Sequence, residues 1–311
     1  MTGDRMIESA VPAEFAGLRL DLYLSKRFSY LSRTAWQREI ESGRVLLNGL
    51  VMFNVKKHVS EGDRVLYNPP SLEEPEVDFN YSIIFENDNY IVVNKTGNLP
   101  VHPAGIFFKN TLVISLEEKT GIKFFPVHRL DRETSGAILL GKSAEAASSV
   151  QKKFSNVSKE YIAVVRGVPE GSFSVDVPIG PARNSLIKKK REAYPGAAET
   201  ALTHFERLST AGDYSLVKAV LVTGRMHQIR VHLKYAGHPI VGDKMYSDDE
   251  TIYLDYVESG LTPEIISRAG FHRCALHSSV IIFYDNYEKS EISVTAPLPE
   301  DMSSLVADLS L

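Results

Sequence analysis

The hydrophobic positions divide the chain into a helical front and a longer remainder in which strands and helices alternate. Between Leu18 and Phe28 the apolar residues Leu20, Tyr23, Leu24 and Phe28 recur near i, i+3, i+4 and i+8, the spacing that lines one face of an α-helix. Ser32 has the chemistry of an N-cap, and Arg33–Ile40 predicts a second helix ending at Gly43. Asn48-Gly49 between two apolar runs predicts a tight hairpin. Arg64–Tyr67 predicts one more strand, and the Pro- and Glu-rich residues 69–78 read as a linker. Beyond it, Tyr81–Phe85, Tyr90–Asn94, Ala137–Leu140 and Tyr161–Val165 predict strands. So do Leu276–Tyr284 and the pair Thr200–Leu208 and Tyr214–Thr223, which flank Ala211-Gly212-Asp213. Ser143–Phe154 and Met226–Tyr235 predict helices. No internal repeat is present, and the second region is α/β or α+β.

Length and composition narrow the class. At roughly 150 residues per domain, 311 residues suggest two domains, and 43% hydrophobic with 24% charged residues describes a globular chain. Cys274 is the one cysteine, so no internal disulfide and no Cys-x-x-Cys zinc site is expected. The first fifteen residues lack the apolar core of a secretory signal. No stretch reaches the roughly 18 apolar residues of a membrane helix, so a cytoplasmic location is expected. The net charge of −4 is unevenly spread. Residues 17–68 hold nine Lys or Arg against five Asp or Glu, a local +4 that leaves −8 elsewhere. A second basic cluster, Lys188-Lys189-Lys190-Arg191, reads either as a mobile phosphate-gripping loop or as a solvated one.

Three runs carry candidate chemistry. His128-Arg129-Leu130-Asp131-Arg132-Glu133-Thr134-Ser135-Gly136 sets one carboxylate between two arginines, which favour its ionised form, and ends in turn residues. A surface ion pair or a helix cap would use the same residue types. Thr223–His232 places Arg230 on a helix with two His and a Gln nearby. Lys159-Glu160-Tyr161 opens an apolar strand. Gly136-Ala-Ile-Leu-Leu-Gly141-Lys142-Ser143 fits the P-loop pattern by letter, but its apolar interior wants to be a buried strand, not a phosphate-wrapping loop. A P-loop hydrolase using Lys142 is therefore a remote alternative.

These motifs resemble two known families. Leu20-Asp21, Ser32-Arg33, Gly43-Arg44-Val45 and Asn48-Gly49 resemble an S4-type RNA-binding module over residues 17–68, after an extension at 1–16. The resemblance implies an RNA-tracking surface on which Lys26, Arg27, Arg33, Arg38 and Arg44 meet phosphates. Residues 79–311 resemble the RluA-type pseudouridine synthases of the large-subunit rRNA and tRNA branch. The match rests on Asn94-Lys95, Pro100-Val101-His102-Pro103, the three runs above, Gly237–Asp243, Ala275-Leu276-His277 and Ala296–Pro299. Departures are Lys95-Thr96-Gly97, Met226, Asp285-Asn286 and an unusually long Tyr246–Arg273 stretch.

The resemblance implies an α+β protein whose catalytic domain has a central mixed, mainly antiparallel sheet flanked by helices. It implies isomerisation of uridine to pseudouridine in RNA, most readily large-subunit rRNA, with tRNA as the alternative substrate. A non-catalytic RNA-binding homologue is a further alternative. No cofactor or metal is implied, and a monomer is the family's default. Asp131 becomes the essential carboxylate, acting on C1′ or on a ribose 2′ proton, two routes that stay open. Arg230 becomes its ion-pair partner, and Tyr161 stacks on the base and can take part in the final C5 deprotonation. Arg129 assists base flipping, Leu276 walls the pocket, and Lys188, Lys189 and Lys190 contact RNA.

Overall fold

A computed structural model describes residues 7–28, 31–69, 74–152 and 157–311. The end of the helix expected to reach Phe154 lies outside them. Contacts divide the chain into two compact units, Met1–Pro75 with Ala104–Phe108, and Glu76–Pro103 with Lys109–Leu311.

The first unit contains β1 (Ile7–Ala10), α1 (Leu20–Arg27), α2 (Arg33–Glu41), β2 (Val45–Leu47), β3 (Leu50–Met52) and β4 (Arg64–Tyr67). Its sheet has the order β1-β4-β2-β3 and is antiparallel throughout. The edge strand β1 comes from the segment expected to be an extension. The hairpin forms at Asn48-Gly49 with φ of 51° and 82°, the doubly left-handed turn that matches strand twist. The Ser32 hydroxyl accepts the Ala35 N–H at 3.2 Å and caps α2. Leu20, Tyr23 and Leu24 of α1 and Trp36 and Ile40 of α2 are sealed in one core with Val45, Val65 and Tyr67.

Burial also reassigns charges in this unit. Asp21 is inaccessible and accepts from Arg19 (3.1 and 3.1 Å), Arg33 Nε (2.9 Å) and Gln37 (2.7 Å). Burial pushes its carboxyl up, but the Gln37, Arg33 and Arg19 donors outweigh that and hold it below the usual range. Arg44 makes a two-pronged pair with Glu39 at 2.6 and 3.1 Å. Arg33 and Arg44, expected to meet phosphate, are engaged by carboxylates, although Arg33 stays exposed as Lys26, Arg27 and Arg38 are.

The second unit begins with β5 (Ser82–Glu86), β6 (Tyr90–Lys95), α3 (Leu112–Thr120), β7 (Phe125–Pro126), β8 (Ser135–Gly141) and α4 (Ala144–Gln151). It continues through β9 (Ser158–Arg166), β10 (Ser172–Asp176), β11 (Ile179–Pro181), β12 (Arg191–Ala193), β13 (Leu202–Ala211), β14 (Tyr214–Leu221) and α5 (Gln228–Tyr235). It closes with α6 (Thr251–Ser259), α7 (Pro263–Ala269), β15 (Leu276–Asp285), β16 (Ser290–Thr295) and α8 (Glu300–Asp308). The main sheet runs β10-β13-β14-β9-β15-β8-β6-β5, with β16 beside β15 and β7 beside β8. Among the described residues only β15 and β8 pair in parallel. The mixed, mainly antiparallel sheet of an α+β fold is what the family resemblance implied.

The two faces of this sheet bury different residues of the same strands, as a period of two requires. Ile91, Val93, Ile138 and Leu140 face a core shared with Leu112 and Leu116 of α3, Ile229 and Leu233 of α5 and Met302 of α8. Tyr90, Val92, Ala137 and Leu139 face the other way, onto Ala146, Ala147 and Val150 of α4. Covered on both sides, β8 is buried along its whole length. This disposes of the P-loop reading, because Gly136–Gly141 is strand, and Lys142 pairs with Glu86 at 2.7 Å. Gly136, at φ +108°, is required by close approach, since a Cβ there would lie 2.2 Å from the Ser278 carbonyl oxygen.

The long Tyr246–Arg273 stretch holds α6 and α7. Thr262 caps α7, accepting the Ile265 N–H at 3.3 Å, with Pro263 in the first turn and Gly270 at φ 87° behind it. No helix among the described residues is long and apolar enough to cross a membrane.

Candidate active site

Asp131 lies on the loop between β7 and β8. Leu130 anchors that loop in the core, and the Thr134 N–H closes a turn on the Asp131 carbonyl at 3.1 Å. Three cations clamp the next two residues. Buried Lys95 donates to the Arg132 carbonyl at 3.1 Å, and burial pushes its ammonium well below the usual lysine range. Arg273 donates to the Glu133 carbonyl at 3.1 Å. Lys244 reaches the Glu133 carboxylate at 3.1 and 3.2 Å, and that carboxylate also accepts the Cys274 N–H at 3.0 Å. Tyr256 of α6 takes a hydrogen bond from Arg132. Its ring centroid lies 5.0 Å from the Lys244 ammonium. The loop is thus fixed by its backbone and neighbours, leaving the Asp131 side chain to face outward.

Across from it, α5 begins at Gln228, two residues later than the apolar spacing suggested, because His227 takes a left-handed conformation at φ 59°. Buried Gln228 sets that entry. Its Oε1 accepts from Thr223 Oγ1 (2.8 Å) and the Arg225 N–H (2.9 Å), and its Nε2 donates to the Leu202 carbonyl (3.0 Å) and Thr203 Oγ1 (2.9 Å). One turn on, Arg230 bridges two carboxylates. Nη1 donates to Asp131 Oδ2 at 2.7 Å, while Nε and Nη2 grip Asp243 at 2.7 and 2.9 Å. Tyr246 stacks beneath the guanidinium, its ring centroid 4.8 Å away. Asp243 also accepts the Met245 and Tyr246 N–H groups at 3.1 Å each.

The electrostatics follow from this geometry. Burial pushes the Asp131 carboxyl up, but the charge of Arg230 and its hydrogen bond, with a weaker contribution from Arg129, prevail and hold it below its ordinary value. Burial also pushes His227 down to about 4, so at neutral pH its ring is uncharged and its 3.7 Å approach to Asp131 is not an ion pair. The flanking arginines contribute less than the sequence suggested. Arg129 is the weakest of these influences on Asp131, and Arg132 turns to Glu133 and Tyr256. Arg230, distant in sequence, does most of the holding.

A cavity of about 320 Å³ opens at this point, and Asp131, Tyr161, Arg230, Arg129 and Leu276 all line it. The Asp131 side chain retains 22% exposure toward it. Tyr161 stands on β9 opposite Ser278 of β15. Burial pushes its hydroxyl above the usual tyrosine range, so it remains protonated at neutral pH. Arg129 is exposed and Leu276 buried. Lys159 and His227 also line the cavity and had no assigned role in the sequence. Burial pushes Lys159 down to about 8. The second histidine of the run, His232, is structural, with Thr203 Oγ1 at 2.9 Å and the Val177 carbonyl at 3.0 Å.

Lys188, Lys189 and Lys190 lie apart from this cavity, on the connection from β11 to β12. Lys190 pairs with Glu250 at 2.5 Å, whereas Lys188 and Lys189 are exposed. Asp243 and Tyr246 were also without a role in the sequence. The signal for Asp243 was its place in the Gly242-Asp243 match. Gly242 is needed there, as a Cβ would lie 1.9 Å from the Arg273 carbonyl oxygen.

Residues 89–235 match the RNA pseudouridylate synthase family. The chain is 31% identical over 312 residues to "Ribosomal large subunit pseudouridine synthase D" of Xylella fastidiosa, covering 97% of this chain and 92% of that one. It is 36% identical over 239 residues to "tRNA pseudouridine(32) synthase, mitochondrial" of Saccharomyces cerevisiae, covering 74% of this chain and 50% of that one. Among solved structures, "Human RNA Pseudouridylate Synthase Domain Containing 4" aligns with a TM-score of 0.57 at 27% identity, over 74% of this chain and 93% of its own. The chain belongs to the RNA pseudouridine synthase family, isomerases that act on uridine in RNA.

Proposed function

We propose that this synthase converts a uridine of large-subunit rRNA to pseudouridine in the Asp131 cavity. The observation that carries the reading is the carboxylate itself, ionised, fixed by Arg230 and exposed only toward a cavity walled by Tyr161 and Leu276. In the reaction the N1–C1′ bond breaks and its electron pair leaves with the uracil. The uracil turns while held, C5 bonds to C1′, and the C5 proton is lost. Asp131 acts either by attacking C1′ or by taking a ribose 2′ proton. An anionic carboxylate suits both routes. Arg230 keeps it charged and aligned.

Tyr161 serves as a stacking wall for the base, and its protonated hydroxyl favours hydrogen-bond donation over proton removal at C5. Exposed Arg129 at the cavity fills the gap left by the flipped uridine, a step that costs a few kcal/mol of unstacking. Lys26, Arg27 and Arg38 of the first unit, with Lys188 and Lys189 of the second, contact the RNA backbone as point charges. A tRNA substrate is the second reading, favoured by the similarity to the yeast enzyme whose name specifies tRNA. Incubation with full-length large-subunit rRNA and with bulk tRNA, both unmodified, followed by pseudouridine-specific mapping, separates the two. A signal confined to tRNA refutes the rRNA assignment.

A further inference from the structure

His227 lines the cavity, yet the reaction as proposed gives it no part. It occupies the left-handed region at φ 59°, a conformation uncommon for a residue with a Cβ. Both ring nitrogens face polar groups. Nδ1 lies 2.8 Å from Tyr246 Oη, and that oxygen also accepts the Arg191 backbone N–H at 3.1 Å. With Arg191 taking one acceptor site, the Tyr246 hydroxyl is free to direct its proton to Nδ1. That arrangement favours a neutral imidazole with its own proton on Nε2. Nε2 is the nitrogen that faces Asp131, 3.7 Å from Oδ1.

Arg230 occupies only Oδ2, and Oδ1 accepts no hydrogen bond from the described residues. A single bond to one oxygen leaves the carboxylate plane free to turn about Cβ–Cγ, a soft torsion in aspartate. A second donor on the other oxygen would fix it. The 3.7 Å separation lies beyond hydrogen-bond distance. Such contacts tighten when substrate fills an active site. The other groups facing the ring are Arg230, Asp243, Arg129 and Tyr246. Near neutral pH none of them changes charge. Arginine stays cationic, Arg230 holds both aspartates ionised, and burial keeps the Tyr246 phenol protonated.

We propose that His227 is a positioning residue for Asp131. Through the Nε2–H tautomer favoured by Tyr246 it donates to Oδ1 and locks the carboxylate plane that meets the ribose. The inference rests on the role of Asp131 proposed above, and the test separates the two. Steady-state pseudouridine formation on a large-subunit rRNA transcript is compared for wild type, His227→Ala, His227→Gln, His227→Asn and Tyr246→Phe, with ¹⁵N spectra of the histidine rings.

His227→Ala should lower kcat roughly ten- to a hundredfold, the scale of a hydrogen bond to a charged group, with KM within about twofold. Gln, whose amide N–H reaches where Nε2 stands, should restore most of the rate. Asn tolerates the left-handed backbone but is too short, so it should behave like Ala even where the Ala variant folds poorly. The wild-type ring should be the neutral Nε2–H tautomer, and Tyr246→Phe should mix the tautomers and lose part of the rate. The inference is overturned by an unchanged kcat in His227→Ala, by Gln performing no better than Ala, or by an Nδ1–H or charged wild-type ring. If the wild type forms no pseudouridine, the proposed function fails instead, and the tautomer alone decides the inference.

Discussion

Asp21 and Asp131 look alike in the sequence, each a carboxylate within two residues of an arginine, and the structure gives them opposite fates. Asp21 has no exposure, and its two oxygens are saturated by Arg19, Arg33 and Gln37. Asp131 keeps 22% exposure, gives one oxygen to Arg230 and leaves the other beside a cavity. A saturated, sealed carboxylate can only hold its neighbours in place. A half-satisfied one, held ionised in a partly desolvated site, is available for chemistry. Asp243 is the hinge of the contrast. It is as sealed as Asp21, and by taking two of the Arg230 nitrogens it fixes the third against Asp131.

The largest expected effect falls on chemistry alone. Asp131→Asn should reduce pseudouridine formation by at least about a thousandfold, the upper range for a positioned proton-transfer group. Its melting temperature should change little, because the site stays packed. Asp21→Ala should do the reverse. Losing the hydrogen bonds from Gln37 and from the partly exposed Arg19 and Arg33 should cost about 1–3 kcal/mol of unfolding free energy in urea titration, while the rate at saturating RNA stays within about twofold because the sites are independent. If the two variants exchange these phenotypes, the contrast is wrong.

Arg230→Lys sharpens the same comparison. A lysine cannot span two carboxylates, so activity should fall roughly a hundredfold by analogy with loss of one preorganised donor. The Asp131 carboxyl should also titrate higher. Since the folded-state values of Asp131, Asp243 and Asp21 are all depressed, their stabilising contribution is complete above the unfolded carboxylate range, near ~3.9. It is lost as pH falls through their folded values. Wild-type activity should therefore be flat from neutrality down to about pH 5. In Arg230→Lys the acid limb should move upward into the measurable range.

A smaller effect is expected from the clamp behind the loop. Lys244 is nearly inaccessible and pairs with Glu133. Lys244→Met should cost about 3 kcal/mol of stability and slow the reaction by about tenfold as the Asp131 loop loosens. The smallest effect concerns the basic loop. Lys188→Ala or Lys189→Ala should each lower the slope of log affinity against log salt by roughly one. Lys190→Ala should leave it unchanged because Glu250 already neutralises that lysine.

Much of this was legible before the fold. Local chemistry named the hairpin at Asn48-Gly49 and the cap at Ser32, and the apolar interior of Gly136–Gly141 argued for a strand. Asp131, Tyr161 and Arg230 stood out through motifs that resemble a family, and one cavity brings them together. What escaped was pairing across the fold. The S4 resemblance implied an RNA-facing role for Arg33 and Arg44, and the sequence did not show that Asp21 and Glu39 also bind them. Arg132 sits beside Asp131 in the chain and bonds elsewhere, while Arg230, 99 positions away, takes its place. The helices α6 and α7 were missed although Thr262-Pro263 and Gly270 mark the ends of α7 plainly. β16 was missed although Glu291-Ile292-Ser293-Val294-Thr295 alternates polar and apolar residues.

The account turns on Asp131 as the group that performs the isomerisation, and one measurement addresses it most directly. Purified wild type and Asp131→Asn are each incubated with unmodified large-subunit rRNA, and pseudouridine is mapped at nucleotide resolution. The account predicts one or a few modified positions with the wild type and none with the variant. Identical maps from the two proteins would contradict it.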